Sequence, residues 1–268
     1  MKKNLFFCFS LDLDVVSLQL KSYFNMLQRT KGIVIHTFKI KDNQLIAVLY
    51  TQQWGRVSYI TSIPKTHKSG AKHLLLQPLA EVEVEADMKP TVQLFRVKSV
   101  QTVQPLTSIP YHPIKSVIAL FLQEFLYRAV HEEGQPNESL YAYLSHSVRW
   151  LDAAEHNYAN FHLVFLMRVS RFLGLQPNID NYYDGCWFDM LNASFVPTKP
   201  QSHAYSVAPE ECRHLVNLMR LNYATMHLFK MNRQERLRLL TLINDYYRLH
   251  LPDFPELKSL QVLKEVFD

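Results

Sequence analysis

The sequence predicts a multidomain α+β protein, in which an N-terminal β-barrel of the OB-fold kind precedes an all-α helical domain. Apolar residues alternate in short runs up to about residue 104 and recur at helical spacing after Pro105. Charge divides the chain at the same point. Residues 26–104 carry eleven Lys or Arg against five Asp or Glu, whereas residues 105–268 carry fifteen against seventeen. The net charge of +5 therefore arises from the predicted barrel.

Composition excludes several protein classes. With 268 residues, 48% of them apolar, the chain can bury the cores of two modest domains. None of its six glycines stands in the spacing of a phosphate-cradling loop, which argues against most nucleotide-hydrolysing enzymes. Its three cysteines lack CxxC spacing, so we expect a reducing cytoplasmic setting without disulfides, bound metal or cofactor. The most apolar window, residues 116–130, is too short to span a bilayer, and we expect no membrane partner.

Residues 1–25 are interpreted as an extension that is either disordered or upstream of the true start. Lys2 and Lys3 precede a short apolar run that imitates a signal peptide, but no small-residue cleavage site follows it. Met26 directly precedes the first convincing strand.

Five strand-like runs assign residues 26–104 to the barrel. Turn signals separate the runs, and the run at Glu81 alternates strictly between valine and glutamate. Five short strands in about 80 residues suit a closed or partly open barrel, of which the OB-fold is a nucleic-acid-binding example. The runs are 32–35, 45–50, 57–60, 81–85 and 92–100.

Residues 105–268 are assigned to the helical domain. Pro113 stands where a first-turn proline belongs, and Asn232 with Glu235 forms a capping-box pattern. The segment 174–208 is rich in Pro, Asn and Asp, and we expect it to be irregular or a poorly ordered hairpin. Helices are expected from about residue 114 to 125 and at 139–154, 158–173, 209–222, 233–250 and 257–266.

The basic stretch of the barrel predicts a polyanion partner, most simply nucleic acid. Between Leu27 and Leu76, eight Lys or Arg face one carboxylate, Asp42. Lysines that reach successive phosphates give salt-sensitive, sequence-independent affinity, and interleaved aromatic rings can stack on bases. Any single aromatic residue is more often part of a core. The predicted nucleic-acid-binding residues are Arg29, Lys31, Lys39, Lys41, Trp54, Arg56, Tyr59, Lys65, Lys68 and Lys72; Tyr50 and Phe38 also lie among the charges.

The helical half offers weaker candidate sites. Arg168 and Arg171 lie among phenylalanines on one predicted helix, which either binds an acidic peptide with an apolar end or simply exposes its arginines to water. Cysteines and histidines near the irregular segment do not match zinc-ligand spacing, and only Cys212-x-His214 approaches it. No catalytic motif is present. Two alternatives stay open: an RNA-binding OB-fold protein with a helical interaction domain, and a hydrolase with an unrecognised site.

The order of several segments resembles the bacterial RecO family of DNA repair and recombination mediators. The segments are QRTKGIVIHT from Gln28, VLYT with WGR from Val48, the lysine-rich loop, LQPL leading into EVEV, and YRLHLPDFPELKSL near the C-terminus. The resemblance covers about residues 26–267. Each motif alone is weak evidence for the family, but the order and spacing of the motifs together are fairly specific to it.

This resemblance implies an OB-fold, a helical domain and a protein without enzymatic activity. It implies binding to single- and double-stranded DNA, annealing of complementary strands, and binding to the acidic C-terminal tail of single-stranded DNA-binding protein. It further implies that the protein helps RecR to load RecA, in the cytoplasm at the nucleoid. Many members carry a four-cysteine zinc element. Here that region holds only Cys186 and then Cys212, so we expect the element to be lost and replaced by packing of Trp187, Phe188 and Phe195.

Overall fold

A computed structural model describes residues 27–41, 44–62, 75–88, 93–130 and 136–266. The interpretation of residues 1–25 lies outside these ranges. The described residues form two compact units, which meet in sequence at Pro105 and Leu106. No helix in these ranges is long and apolar enough to cross a membrane.

The first unit is a closed five-stranded barrel in the order β1-β2-β3-β5-β4, which confirms the predicted fold class. All strand pairs are antiparallel except β3 with β5, which are parallel. The strands are β1 (Leu27–Lys41), β2 (Gln44–Thr51), β3 (Gly55–Ser62), β4 (Glu81–Asp87) and β5 (Leu94–Gln104).

Barrel closure depends on β1, whose two halves pair with different neighbours. Its first half pairs with β4 and its second half with β2, and the two ladders overlap at Gly32 and Ile33. A Cβ atom at Gly32 would lie 3.1 Å from Leu49 Cβ and 3.2 Å from Thr51 Cγ2, a tighter approach than side chains normally make. Glycine is therefore favoured where the strand passes from one neighbour to the other.

The barrel interior is filled by alternate residues of all five strands. Val34, Leu49 and Val82 are among the fully buried members. β2 departs from simple alternation, because Ile46, Val48 and Tyr50 on its other face are also buried. The side chains of β2 itself therefore offer little exposed surface on either face.

The second unit contains six α-helices and a 3₁₀-helix in its described residues. Pro113 occupies the first turn of α1, and Asn232 and Glu235 form the predicted capping box at the start of α5. The helices are α1 (Pro113–Ala129), α2 (Glu138–Ala153), α3 (Phe161–Phe172), α4 (Pro209–Arg220), α5 (Arg233–His250) and α6 (Lys258–Val266), with the 3₁₀-helix at Met226–Leu228.

The segment 174–208 contains more regular structure than the irregular segment or poorly ordered hairpin that we expected. It contains a three-stranded antiparallel sheet in the order β7-β6-β8, formed by Trp187–Asp189 (β6), Ser194–Val196 (β7) and Ser206–Val207 (β8). Strands of two or three residues are too short to show alternation in the sequence. Phe188 and Phe195 are buried with ring centroids 4.9 Å apart, so they supply the expected apolar packing, while Trp187 is half-buried.

A buried carboxylate organises the beginning of the helical unit. Asp152, near the end of α2, accepts hydrogen bonds from the backbone N–H groups of Ser108 and Ile109 and from the N–H and hydroxyl of Thr107, at 2.8–2.9 Å. Lys115 donates to Ser108 Oγ at 2.7 Å and to the Asp152 carbonyl at 3.1 Å. Burial alone would raise the pKa of Asp152, but the donors at 107–109 outweigh it and hold the pKa below its usual value.

A second carboxylate caps a helix from a distance. Glu124 on α1 accepts hydrogen bonds from the backbone N–H groups of Lys258 and Ser259 and from the Ser259 hydroxyl. These N–H groups stand at the start of α6, where a helix leaves its first donors without internal partners. The side chain of one helix therefore completes the N-terminus of another.

Asp152→Asn should destabilise the helical unit by about 2–4 kcal/mol at pH 7, because an amide offers one acceptor oxygen and directs its NH₂ group toward backbone donors. The pKa of Asp152 is depressed in the folded state, so its stabilising charge is fully present above the unfolded value of 3.8 and is lost as the pH falls below it. Urea unfolding at pH 7 and pH 3 should therefore show a smaller difference between wild type and variant at pH 3. Asp180→Asn, the same substitution at an exposed position of the helical unit, is the control and should change little.

Candidate nucleic-acid interface

The basic residues of the barrel fall into two electrostatic settings. Arg29 and Lys31 lie in the half of β1 that pairs with β4, directly opposite Glu85 and Glu83. Residues opposite each other on antiparallel strands share a face, and Arg29 Nε lies 3.4 Å from Glu83 Oε2. Acidic neighbours therefore compensate the positive charge at these two predicted positions.

Lys39, Lys41 and Arg56 lie in the second setting, on strand segments that have no acidic residues beside them on the neighbouring strand. Residues 27–41 and 44–62, which form β1, β2 and β3, contain no Asp or Glu. Lys39 is exposed, Arg56 is half-buried, and both belong to strand segments that do not pair with β4. We call residues 36–41 of β1 together with β2 the basic hairpin. Its strands carry only positive charge, which favours binding to phosphate.

The structure corrects one predicted contact. Tyr59 is 1% exposed, and its ring lies in the barrel core with the ring of Phe95 at a centroid distance of 6.3 Å. Burial raises the pKa of its hydroxyl. A ring in this position cannot stack on a base. Trp54 is partly buried against the same core, so it offers only part of its surface.

Lys65, Lys68 and Lys72 lie outside the described residues. Their role as phosphate contacts stays a prediction from the sequence.

Arg168 and Arg171, predicted from one helix, line a common cavity of about 680 Å³ in the helical unit. Arg168 Nη2 donates to the Leu221 carbonyl at 2.9 Å, which holds the guanidinium in place, and Arg171 is exposed. The other polar and aromatic side chains of the wall come from α2, α3 and the segment after α4. They are Tyr143, His146, Trp150, Phe172, Asn222 and Tyr223.

The aromatic wall of this cavity is rigid. Trp150 stacks on Tyr223 at 5.1 Å, and Tyr143 stacks on Phe172 at 5.2 Å. The Tyr223 hydroxyl donates to Ser147 Oγ at 2.7 Å and lies 2.7 Å from the Tyr143 hydroxyl. Burial raises the pKa of Tyr143 to about 12 and that of Tyr223 well above its usual value, so both rings stay neutral. The cavity therefore combines apolar surface with positive charge from the arginines.

The residues present do not fit the zinc element implied by the resemblance. Cys186 and Cys212 are buried free thiols, and Cys212 Sγ lies 3.5 Å from the Val207 carbonyl. Burial raises the pKa of Cys212 to about 12, which disfavours the thiolate that metals bind. His203 lies 3.4 Å from Asp189, and His214 packs against Phe229. Within the described ranges no three His, Cys, Asp or Glu side chains cluster as metal ligands would.

Comparison with known proteins identifies relatives of both units. The family model described as Recombination protein O N terminal matches residues 26–106, and Recombination protein O C terminal matches residues 111–261. The chain is 57% identical over 243 residues to DNA repair protein RecO of Bacteroides fragilis, covering 91% of this chain and all of that protein. It is 54% identical over 242 residues to the Phocaeicola vulgatus protein of the same name, covering 90% and 100%. Identity to the Porphyromonas gingivalis protein is 34% over 251 residues, covering 91% and 100%.

We expect the purified protein to contain no stoichiometric zinc, because two buried thiols lack two further ligands. A chelator should leave its melting temperature unchanged, and metal analysis by mass spectrometry should agree. Substituting Cys186→Ala should lower the melting temperature equally with and without chelator. One equivalent of tightly bound zinc would contradict our interpretation of this segment.

Proposed function

We infer the function of this chain from its family, because the chain belongs to the RecO family of DNA repair proteins across both RecO domains. Its role is therefore in DNA repair and recombination. We propose that it acts as a mediator without enzymatic activity, which binds single- and double-stranded DNA and anneals complementary strands. With RecR it helps to load RecA on DNA coated with single-stranded DNA-binding protein. We assign DNA binding to residues 26–104 and partner binding to residues 105–268.

The uneven charge of the barrel is the observation that carries the DNA-binding proposal. Annealing requires a surface that screens the repulsion between two phosphate backbones while it leaves the base edges free. Contacts to phosphate meet this need, because they carry no sequence information. Lys39 and Arg56 lie on strands without carboxylates, so the field of these strands attracts a polyanion. Neither a nucleophile nor a proton transfer enters this mechanism.

The cavity at Arg168 and Arg171 supports binding of the C-terminal tail of single-stranded DNA-binding protein. The family resemblance implies that this tail is acidic, and the aromatic wall of the cavity suits an acidic peptide with an apolar end. Arginines at the rim attract the carboxylates, and the rings of Trp150, Tyr223 and Phe172 accept the apolar end. The proposal requires no metal or cofactor. DNA as the substrate implies that the protein works in the cytoplasm, at the nucleoid.

Lys39→Gln should weaken binding to single-stranded DNA of every sequence and lower the magnitude of the salt slope by about 0.7, the value for a single phosphate on one strand. Arg29→Gln is the matched control on the same strand. It should change the slope less, because Glu83 already compensates that charge. Fluorescence anisotropy titrations over a range of salt concentrations measure both quantities.

The same titrations test the lysine-rich loop and the choice of nucleic acid. Replacing Lys65, Lys68 and Lys72 with Ala should lower the magnitude of the salt slope by about 0.7 for each phosphate that is no longer neutralised. Equal slopes for wild type, Lys39→Gln and the triple variant would contradict the phosphate-binding surface. Markedly tighter binding to RNA than to DNA of the same sequence would favour the RNA-binding alternative.

Wild type should accelerate annealing of complementary strands coated with single-stranded DNA-binding protein, and Arg171→Glu should slow it. Reversing this exposed charge places a carboxylate beside an acidic tail, and we expect tail-peptide affinity to fall by about tenfold. Annealing of bare strands should be unaffected. Fluorescence quenching between labelled strands follows the rate with and without the coating protein.

Arg128→Glu is the control, since it reverses an exposed arginine on α1 that does not line the cavity. It should behave as wild type in both assays. Equal slowing by Arg128→Glu and Arg171→Glu would indicate a general charge effect. No acceleration by wild type would count against the mediator function itself.

A further inference from the structure

Phe38 is the one well-exposed aromatic side chain among the described residues of the barrel. Tyr50 and Tyr59 are 3% and 1% exposed, and Trp54 and Phe95 are partly buried against the barrel core. Phe38 is 42% exposed. Of the four aromatic residues that lie among the charges in the sequence, the structure therefore favours Phe38 over Trp54, Tyr50 and Tyr59 as a ring on which bases stack.

The position of Phe38 is held by the strand ladder. It pairs with Ile46 on β2, and the ladder continues to Lys41 opposite Gln44, so Phe38 lies in regular structure rather than in a free loop. Its ring centroid lies 5.6 Å from that of His36, which shares its face of the strand. A residue whose backbone is ordered before binding loses less conformational freedom when a ligand stacks on its ring.

The neighbouring residue points to the opposite face and carries a positive charge. Lys39 pairs with Leu45, which belongs to the barrel core, whereas Ile46 opposite Phe38 does not. Lys39 is exposed near the end of β1. Among the described strands, residues 34–41 of β1 pair only with β2. A nucleotide strand that follows the other edge of this segment therefore meets the Phe38 ring on one face and the Lys39 ammonium group on the other.

We infer that Phe38 stacks on an unpaired base of single-stranded DNA while Lys39 contacts an adjacent phosphate. This inference rests on the proposed DNA-binding function and deepens it. Base–aromatic stacking tolerates any sequence, because every base has a π-face. Residues 27–62 carry five Lys or Arg against one carboxylate, Asp42, and this excess of positive charge favours a polyanion over an apolar protein segment as the occupant.

The inference predicts different effects on the two forms of DNA. In a duplex the faces of the bases are already stacked, so a side chain that contacts them adds little unless it opens the helix. In a single strand the faces are accessible. Phe38 therefore contributes to single-strand affinity, and Lys39 contributes to the salt dependence on both forms.

Titrations of Phe38→Ala with single- and double-stranded DNA test this division. Single-strand affinity should fall by about 5- to 100-fold, the range for loss of one stacked base, with an unchanged salt slope. Duplex affinity should change by less than about twofold. Phe38→Leu keeps an apolar side chain but should lose affinity, whereas Phe38→Trp should retain it. Leu94→Ala removes another exposed apolar side chain of the barrel and should have no effect.

The outcomes separate this inference from the proposed function. If wild type binds DNA with the expected salt dependence but Phe38→Ala binds single strands equally well, stacking by Phe38 is overturned and DNA binding stands. If Phe38→Leu matches wild type, the residue acts through apolar contact and the stacking inference is again overturned. If wild type itself shows no salt-dependent binding to DNA, the proposed DNA-binding function is overturned, whatever the Phe38 variants show. Circular dichroism of each variant verifies that the barrel is folded.

Discussion

Closure of the barrel through a single divided strand determines where charge accumulates on its surface. β1 pairs first with β4 and then with β2, with Gly32 at the overlap. The first half therefore lies beside the glutamates of β4, and the second half lies beside strands without carboxylates. Had β1 paired with one neighbour along its whole length, all of its lysines would share one electrostatic environment. Barrel closure therefore places Lys31 opposite a glutamate and Lys39 opposite a leucine, so Lys39 is the more favourable contact for a polyanion.

In the helical unit, two carboxylates stabilise backbone groups that hydrophobic packing leaves without partners. Asp152 accepts hydrogen bonds from the segment that enters the unit, and Glu124 caps the helix that ends it. Each side chain connects residues far apart in the sequence. The cavity at Arg168 depends on the same long-range order, because its walls come from two helices and the segment that follows a third.

Sequence periodicity predicts the strands of the barrel and the six described helices, and a local motif predicts the capping box at Asn232, since each depends on residues close together in the chain. The charge compensation at Arg29 was not predictable, because it requires the register between β1 and β4, which lie about fifty residues apart. The charges around Tyr59 predict a base contact, and this prediction is wrong. Tyr59 stands two residues from buried Val57 on the same strand, and strand alternation places both on the inner face. Arg168 and Arg171 were found from one helix, but Trp150 and Tyr223 could not be associated with them without tertiary structure.

The cap that Glu124 supplies to α6 has a consequence for synthesis of the protein. The two partners are separated by 135 residues, from Glu124 to Ser259, and α6 is only nine residues long. A helix this short is marginal in water without tertiary support. On the ribosome, α1 emerges long before its partner. The helical unit can therefore complete its packing only after residues 258–266 have also emerged, and until then the face of α1 that contacts α6 stays uncovered.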